Sequence, residues 1–295
     1  MNPQVLLTDF HSASSSRPTA LITGASSGIG QATAHWFWER GWNLVLWARR
    51  IDRLEELKGH LEKNHRAAGN GIPTGTATGD GTAAGDRAVI VIAGVDVRDR
   101  ASVESAYRLL PEAWKPVQLL LNNAGLSQGL NAVHDSDPDD VDRVLDTNLK
   151  GLINVTRVVV PDMKKAGRGQ VLHVSSTAGK ETYPGGGVYC ASKFGVEALA
   201  KTMRQELLPF GVKVGTVSPG MVDTEFSLVR FKGDAERARS VYDGLEPLHA
   251  EDVAEVIGFM ATRPDHVQIA DILVMPKAQA GSGMVHRTQG QPPKV

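Results

Sequence analysis

The 295-residue sequence contains one cysteine, Cys190, so no disulfide can form within the chain. A lone thiol suits a reducing compartment, and a cytoplasmic protein is expected. The nine histidines are scattered without the spacing of a zinc site, so no metal is expected. No stretch approaches the roughly 18 consecutive apolar residues of a spanning helix, which excludes a helical membrane segment. Charge of one sign is also lacking. Lys and Arg number 32 against 33 Asp and Glu, a net charge of −1, which removes the electrostatic case for nucleic acid or an anionic membrane as partner. Residues 1–17 have neither a basic start nor a long apolar core and are read as a flexible arm rather than a signal peptide.

What is present is alternation. Short apolar runs at 19–23, 43–48, 88–95, 117–121, 169–174, 212–217 and 271–275 read as strands. Between them, helical patterns cover 29–40, 52–64, 101–110, 138–160, 189–208 and 251–262. Continuous apolar strands alternating with helices predict an α/β chain: a doubly wound parallel sheet of about seven strands, with helices on both faces. No second domain and no internal repeat stand out. The organisation expected is an arm at 1–17, one domain over 18–276 and a tail at 277–295. Residues 66–87, rich in Gly, Ala and Thr, have few side chains to bury and read as a flexible insertion. They join a helix end to a strand start, so they lie opposite the sheet edge where ligands of such folds bind.

The first strand runs into Thr23-Gly24-Ala25-Ser26-Ser27-Gly28-Ile29-Gly30 and then a helix. Glycines there let backbone turn tightly against a pyrophosphate, and the helix N-terminus supplies N–H groups and a positive dipole end. Gly24, Ser26, Ser27, Gly28, Ile29 and Gly30 are therefore candidates for the phosphate end of a Rossmann-type dinucleotide site. The second strand ends in Ala48-Arg49-Arg50, with no acid for a ribose 2′-hydroxyl. Arg49 and Arg50 suit a 2′-phosphate, so NADP (NADPH) is expected rather than NAD. Asp96 and Val97 end the third strand at the adenine side, and Asn122-Asn123-Ala124-Gly125 the fourth, where the Asn pair is read either as a plain turn or, beside a cofactor, as Asn123 fixing backbone against the ribose and nicotinamide.

Tyr189 and Lys193 stand four residues apart on a helical pattern, about 6 Å apart along the axis. A free phenol has a pKa of about 10, and a neighbouring ammonium favours its ionised form. Such a pair can take or give a proton at an alcohol or carbonyl. Taken alone, Tyr-x-x-x-Lys is commonplace. Cys190 and the tryptophans Trp36, Trp38, Trp42 and Trp47 read as packing.

Together, Thr-Gly-x-x-x-Gly-Ile-Gly at 23–30, Asn-Asn-Ala-Gly at 122–125, Asn148, Ser176, Tyr189-x-x-x-Lys193 and Pro219-Gly220 resemble the short-chain dehydrogenase/reductase family over residues 18–276. Ser175 and Ser176 compete for one role, and the family's usual 13-residue spacing before the Tyr selects Ser176. The loop 219–233, with Ala48-Arg49-Arg50 and Tyr183-Pro184-x-Gly186, is similar to the NADP-dependent 3-hydroxy acid dehydrogenases of that family. Departures are the 66–87 insertion, a shorter 221–223 loop, His173 before the serine, and Gln128 where an apolar residue is usual.

The resemblance implies a catalytic set of Ser176, Tyr189, Lys193 and Asn148. Tyr189 is the proton donor or acceptor, Lys193 lowers its pKa and bonds the ribose, Ser176 steadies the substrate oxygen, and Asn148 supports a water chain. It adds Pro219, Gly220, Val222 and Thr224 to the cofactor contacts, Thr224 holding the carboxamide. Gln128, Gly186 and Arg230 become candidates for the pocket of a small-molecule substrate. A carboxylate needs a cation, and Arg230 and Lys232 are read either as that clamp or as charge on a lid. The expected activity is oxidoreduction of serine, allo-threonine or 3-hydroxypropionate. A broader ketone reductase and an NADPH-sensing regulator remain open. The family relationship also implies a homo-oligomer, a tetramer.

Overall fold

The computed structural model describes residues 5–6, 17–67 and 90–288. Strands form at β1 (Val5–Leu6), β2 (Thr19–Thr23), β3 (Asn43–Ala48), β4 (Ile90–Gly94), β5 (Leu119–Asn122), β6 (Gly169–Val174), β7 (Val212–Pro219), β8 (Asp271–Val274), β9 (Gln279–Gly281) and β10 (Met284–Val285). The first eight make one sheet in the order β1-β4-β3-β2-β5-β6-β7-β8. Seven of these run parallel, as expected, and β1 adds antiparallel to the edge strand β4. The pair β9–β10 is a separate hairpin.

Helices are α1 (Gly28–Glu39), α2 (Ile51–Ala67), α3 (Arg100–Arg108), α4 (Pro138–Leu145), α5 (Leu152–Ala166), α6 (Gly187–Leu207), α7 (Phe226–Arg230), α8 (Ala235–Ser240) and α9 (Ala250–Ala261). Two apolar layers sandwich the sheet. Ile22, Leu44, Leu46 and Leu121 meet Phe37 of α1, Leu54 of α2 and Ile257 of α9. Leu21, Val45 and Leu120 meet Val103 of α3, Val155 of α5 and Met203 of α6. Side chains of β2 and β3 are buried throughout because both faces are covered. Each fully buried Leu or Ile contributes about 2 kcal/mol, so these layers dominate the stability of the scaffold.

Local chemistry sets the helix ends. Asp99 accepts from the N–H groups of Ala101 and Ser102 at the start of α3. Asp137 caps α4 ahead of Pro138, and α5 stops at Gly167 with φ of 67°.

One expectation needs correction. The single helix foreseen at 138–160 is α4, then a π-helical turn over Asp146–Gly151, then α5, which continues to Ala166. Gly151 makes the turn fit, since a Cβ there would lie 2.6 Å from Val97 Cγ2. Pro161 sits inside α5 without ending it, because Val159, Val160 and Met163 bury the same stretch. Of the insertion expected at 66–87, residues 68–87 lie outside the described residues, while 66 and 67 belong to the end of α2. The tail expected beyond 276 carries the β9–β10 hairpin.

The strand order reverses between β2 and β5, and parallel sheets open a crevice at the carboxyl ends of such a pair. Most of the candidate site residues line the cavity at that edge.

Candidate active site

A cavity of about 780 Å³ follows this edge from Arg49 and Arg50 at one end to Tyr183 and Arg230 at the other. Its floor is the turn after β2. Gly24 and Gly28 have φ of +67° and +54°, which few side-chain-bearing residues adopt. A Cβ on Gly24 would lie 2.9 Å from Ala124 Cα, and one on Gly30 would lie 2.5 Å from the Gly24 carbonyl oxygen. The turn therefore packs against itself and against the end of β5. Asn123 stitches it from the β5 side: Nδ2 donates to the carbonyls of Thr23 (2.9 Å) and Gly24 (3.2 Å).

Ser27 precedes α1 but its side chain caps none of the first-turn N–H groups. Those donors and the helix dipole are thus available to an anion in the cavity, which Ser26, Ser27, Gly28 and Ile29 line. Arg50 Nη2 donates to the hydroxyls of Ser26 (3.3 Å) and Ser27 (3.0 Å) and pairs with Glu225 at 2.9 Å. Arg53 reaches the other oxygen of Glu225 at 2.5 Å. Arg49 lines the same end and is exposed. Three guanidinium groups and an open helix N-terminus suit a dinucleotide bearing a third phosphate. Asp96, the acid nearest the end of β4, is engaged by Arg98 through Nε at 3.0 Å and Nη2 at 2.6 Å. Burial works against its ionisation, but the Arg98 fork outweighs this and holds the carboxyl below its usual range. Val97 is buried beside it.

The proton-handling end lies where β6 meets α6. Tyr189 and Lys193 sit on the first turns of α6, and Ser176 follows β6. The Ser176 and Tyr189 side chains both line the cavity, and Ser176 favours the ionised phenol. Tyr189 keeps part of its surface in the cleft, yet its surroundings desolvate the phenol and push it up to about 12. Ser176 and the charge of Arg230 act against that rise. Lys193 is 5 % exposed, and burial pushes its ammonium down to about 8. Its Nζ donates to the Val174 carbonyl at 2.8 Å and lies 5.8 Å from the Tyr189 ring centre. Arg230, its guanidinium 5.3 Å from the Tyr189 ring centre, is a second cation beside the phenol in addition to the lysine expected from the sequence.

Asn148 lies on the π-helical turn, 2 % exposed, behind Gly125 and outside the cavity wall. Oδ1 accepts from Leu126 N–H at 2.9 Å, and Nδ2 donates to Leu126 C=O and Ser192 Oγ, both at 2.9 Å. A Cβ on Gly125 would sit 3.2 Å from Asn148 Oδ1 and 3.5 Å from Lys193 Nζ, so that glycine is what brings the two groups together.

At the far end Arg230 Nη2 donates to the Tyr183 hydroxyl at 2.7 Å. Its guanidinium lies 5.3 Å from the ring centres of both Tyr189 and Phe226. Its Nε is buried without a hydrogen-bond partner. Lys232, the other cation considered, faces away and pairs with Asp140 at 2.8 Å. Pro219, Gly220, Val222 and Thr224 line the cavity along the loop after β7. Thr224 Oγ1 accepts from Phe226 N–H at 3.3 Å, and its methyl group would lie 3.1 Å from a Cβ on Gly28.

Two expected substrate residues lie elsewhere. Gln128 and Gly186 line a separate pocket of about 20 Å³ on the other side of Tyr189. Gln128 Nε2 donates to Val229 C=O at 2.9 Å, and Gly129 N–H to Arg230 C=O at 2.9 Å. Gln128 thus ties its loop to α7 and helps to hold Arg230. Gly186 leaves room for the Tyr183 ring, which would lie 2.2 Å from a Cβ there.

The family model for short chain dehydrogenase matches residues 18–73 and 78–234. The chain belongs to the short-chain dehydrogenases. Among relatives in this enzyme family, an NADP-dependent 3-hydroxy acid dehydrogenase of Schizosaccharomyces pombe is 38% identical over 272 residues, 92% of this chain and 97% of the relative. Sulfoacetaldehyde reductase 2 of Chromohalobacter salexigens is 41% identical over 263 residues, 89% of this chain and 95% of the relative. The closed form of a serine dehydrogenase complexed with NADP+ superposes with a TM-score of 0.78 at 36% identity, covering 92% of this chain and 100% of that one.

As a short-chain dehydrogenase the chain also has site residues to which sequence reasoning assigned no role: Tyr183, Glu225 and Phe226, from segments that carried the resemblance, and Gln279 and Ser282 of the tail, which no motif flagged, all line the cavity. Gln279 Oε1 accepts from Met221 N–H at 2.9 Å, and Glu181 accepts from Ser282 N–H at 2.9 Å. Their polar side chains are ordinary in sequence and acquire a role only through long-range packing.

Proposed function

We propose that this short-chain dehydrogenase interconverts a hydroxyl and a carbonyl on a short 3-hydroxy acid, with NADP as cofactor. The observation that carries the substrate class is Arg230. Its guanidinium stands beside Tyr189 with a buried, unpartnered Nε, and a carboxylate is the partner such a fork takes. The cofactor choice rests on Arg49, Arg50 and Arg53 beside an open helix N-terminus, and on the NADP-dependent relatives.

The roles follow from position. Gly24 and Gly28 bring backbone to the pyrophosphate, Asn123 fixes their turn, and Arg50 neutralises the 2′-phosphate once Glu225 yields. Asp96 and Val97 border the adenine. Pro219, Gly220, Val222 and Thr224 line the nicotinamide side. The bound cofactor supplies or accepts the hydride. Tyr189 gives its proton to the carbonyl oxygen in reduction and takes it back in oxidation. Ser176 donates to the same oxygen as charge grows there. Lys193 holds the ribose, and Asn148 orders the backbone behind it. Arg230 and Tyr183 hold the acid group away from the reacting carbon.

We read residues 18–276 as one catalytic domain that the tail completes, working in the cytoplasm. Exposed Ile153 on α5 and Phe194 on α6 support a homotetramer assembled through those helices.

Initial rates with NADP and NAD, over a panel of L-serine, allo-threonine, 3-hydroxypropionate, an aminoethanesulfonate-derived aldehyde and neutral ketones, test the reading. NADP with the 3-hydroxy acids is expected to give the highest kcat/KM. Arg230→Ala is expected to raise KM for the acids about 10-fold or more, the scale of one charge-assisted hydrogen bond, and to leave the KM of neutral ketones unchanged. Preference for neutral ketones supports a broad carbonyl reductase. Tight NADPH binding without turnover of any carbonyl supports a sensor.

A further inference from the structure

The helix that carries the reacting pair carries a third charged side chain. Tyr189, Lys193 and Glu197 recur every fourth residue along α6 and share one stripe of it. Glu197 is 5 % exposed. Its carboxylate pairs with Lys180 at 2.7 Å and accepts from the hydroxyls of Ser218 (3.1 Å) and Thr216 (3.5 Å) on β7. Asp271 on β8 shares the same partners: Lys180 at 2.8 Å, Thr216 at 2.7 Å and Ser218 at 3.3 Å.

This cluster is costly. Burying a carboxylate takes it from water, and an apolar residue of similar size is often neutral or better for stability. Two carboxylates face one ammonium here, so the cluster carries a net negative charge one helical turn from Lys193. Around Lys193 the other facing groups offer no compensating anion. His173 on β6 is buried and its ring is held neutral, the Tyr189 phenol on α6 keeps its proton, and Arg230 on α7 is a cation. Asn148 on the π-helical turn is uncharged. Burial depresses the Lys193 ammonium, and Glu197 is the charge that opposes this.

We propose that Glu197 is a positioning residue for the reaction: through its buried charge it keeps Lys193 protonated at the pH of turnover. The proposal rests on the role given to Lys193 above. Glu197 itself does not reach the cavity.

The test compares wild type with Glu197→Gln, which keeps size and hydrogen bonding, and Glu197→Asp, which keeps charge. NADPH affinity, followed by cofactor fluorescence, and kcat for reduction are measured from pH 6 to pH 10. Wild-type affinity is expected to weaken on the alkaline side as Lys193 loses its proton. In Glu197→Gln that limb moves down by about one pH unit, leaving NADPH about 10-fold weaker near pH 9, while values at pH 6 stay within about twofold. Glu197→Asp returns the limb towards its wild-type position. Lys180→Met removes the competing cation from Glu197 and moves the limb up; it decides the matter should Glu197→Gln fail to fold. A limb that stays in place in these variants, or a loss equal at every pH, overturns the role of Glu197. Wild-type binding with no pH dependence overturns the assignment of Lys193 and Glu197 with it.

Discussion

Tyr189 holds its proton firmly, at about 12, because the cleft desolvates the phenol more than Ser176 and Arg230 stabilise its anion. It is therefore set to donate, and carbonyl reduction needs no prior ionisation. Tyr189→Phe keeps the ring packing against Phe226 and removes the hydroxyl alone. The expected result is a kcat lower by about 10²-fold or more with NADPH affinity unchanged, read from steady-state rates and fluorescence titration. Near-normal turnover sinks the assignment. His173 offers a second measurement. Burial, with Lys193 nearby, pushes its imidazole from 6.5 down to about 3. The unfolded chain takes up a proton below about pH 6.5 that the folded chain refuses, so stability falls as pH drops from there towards 3, by about 1.4 kcal/mol per unit. His173→Asn, which can still bond Asn122, is expected to flatten the fall of Tm between pH 6.5 and pH 5. Equal slopes in the two proteins exclude this role.

Elements differ in how openly the sequence declares them. Strands β2, β3 and β6 form where continuous apolar runs end against polar or glycine residues, and their bounds match the reading. The glycine turn and the Tyr189 helix were equally legible, because tight turns and helix faces impose fixed spacings. The π-helical turn was not, since a single wide turn inside a long helical stretch has no residue type or spacing of its own. Gln128 misled for another reason: it lies close to Tyr189 in space, but its amide turns to α7. Helices α7 and α8 and the β9–β10 hairpin are too short for periodicity to register. The insertion offers a prediction at this scale. Its flanks, the end of α2 and the start of β4, lie at the amino ends of the strands, away from the cavity. Replacing residues 70–86 by a short Gly-Ser linker is expected to leave kcat within about twofold, since lengthening or shortening a surface loop costs little. A large loss of kcat in a folded protein contradicts that placement.

For the molecule as a whole, a net charge of −1 conceals a polarised cleft. Arg49, Arg50 and Arg53 stand at one end and Arg230 at the other, with Lys193 between them. Cations gathered in a concave site raise the local concentration of anionic ligands even when the whole chain is nearly neutral. Among the described residues no helix is long and apolar enough to cross a membrane. The same cleft must also stay open at its edge while its backbone stays fixed, and Asn148 reconciles the two. Its amide meets both the N–H and the C=O of Leu126, as the peptide group of a neighbouring strand would. The sheet is in effect lengthened by one rung built from a side chain, and no further strand is needed to hold the catalytic rim. An aspartate could receive one of those bonds but could not return the other, and a leucine could do neither, so the rim asks for an amide at this position on grounds of geometry alone.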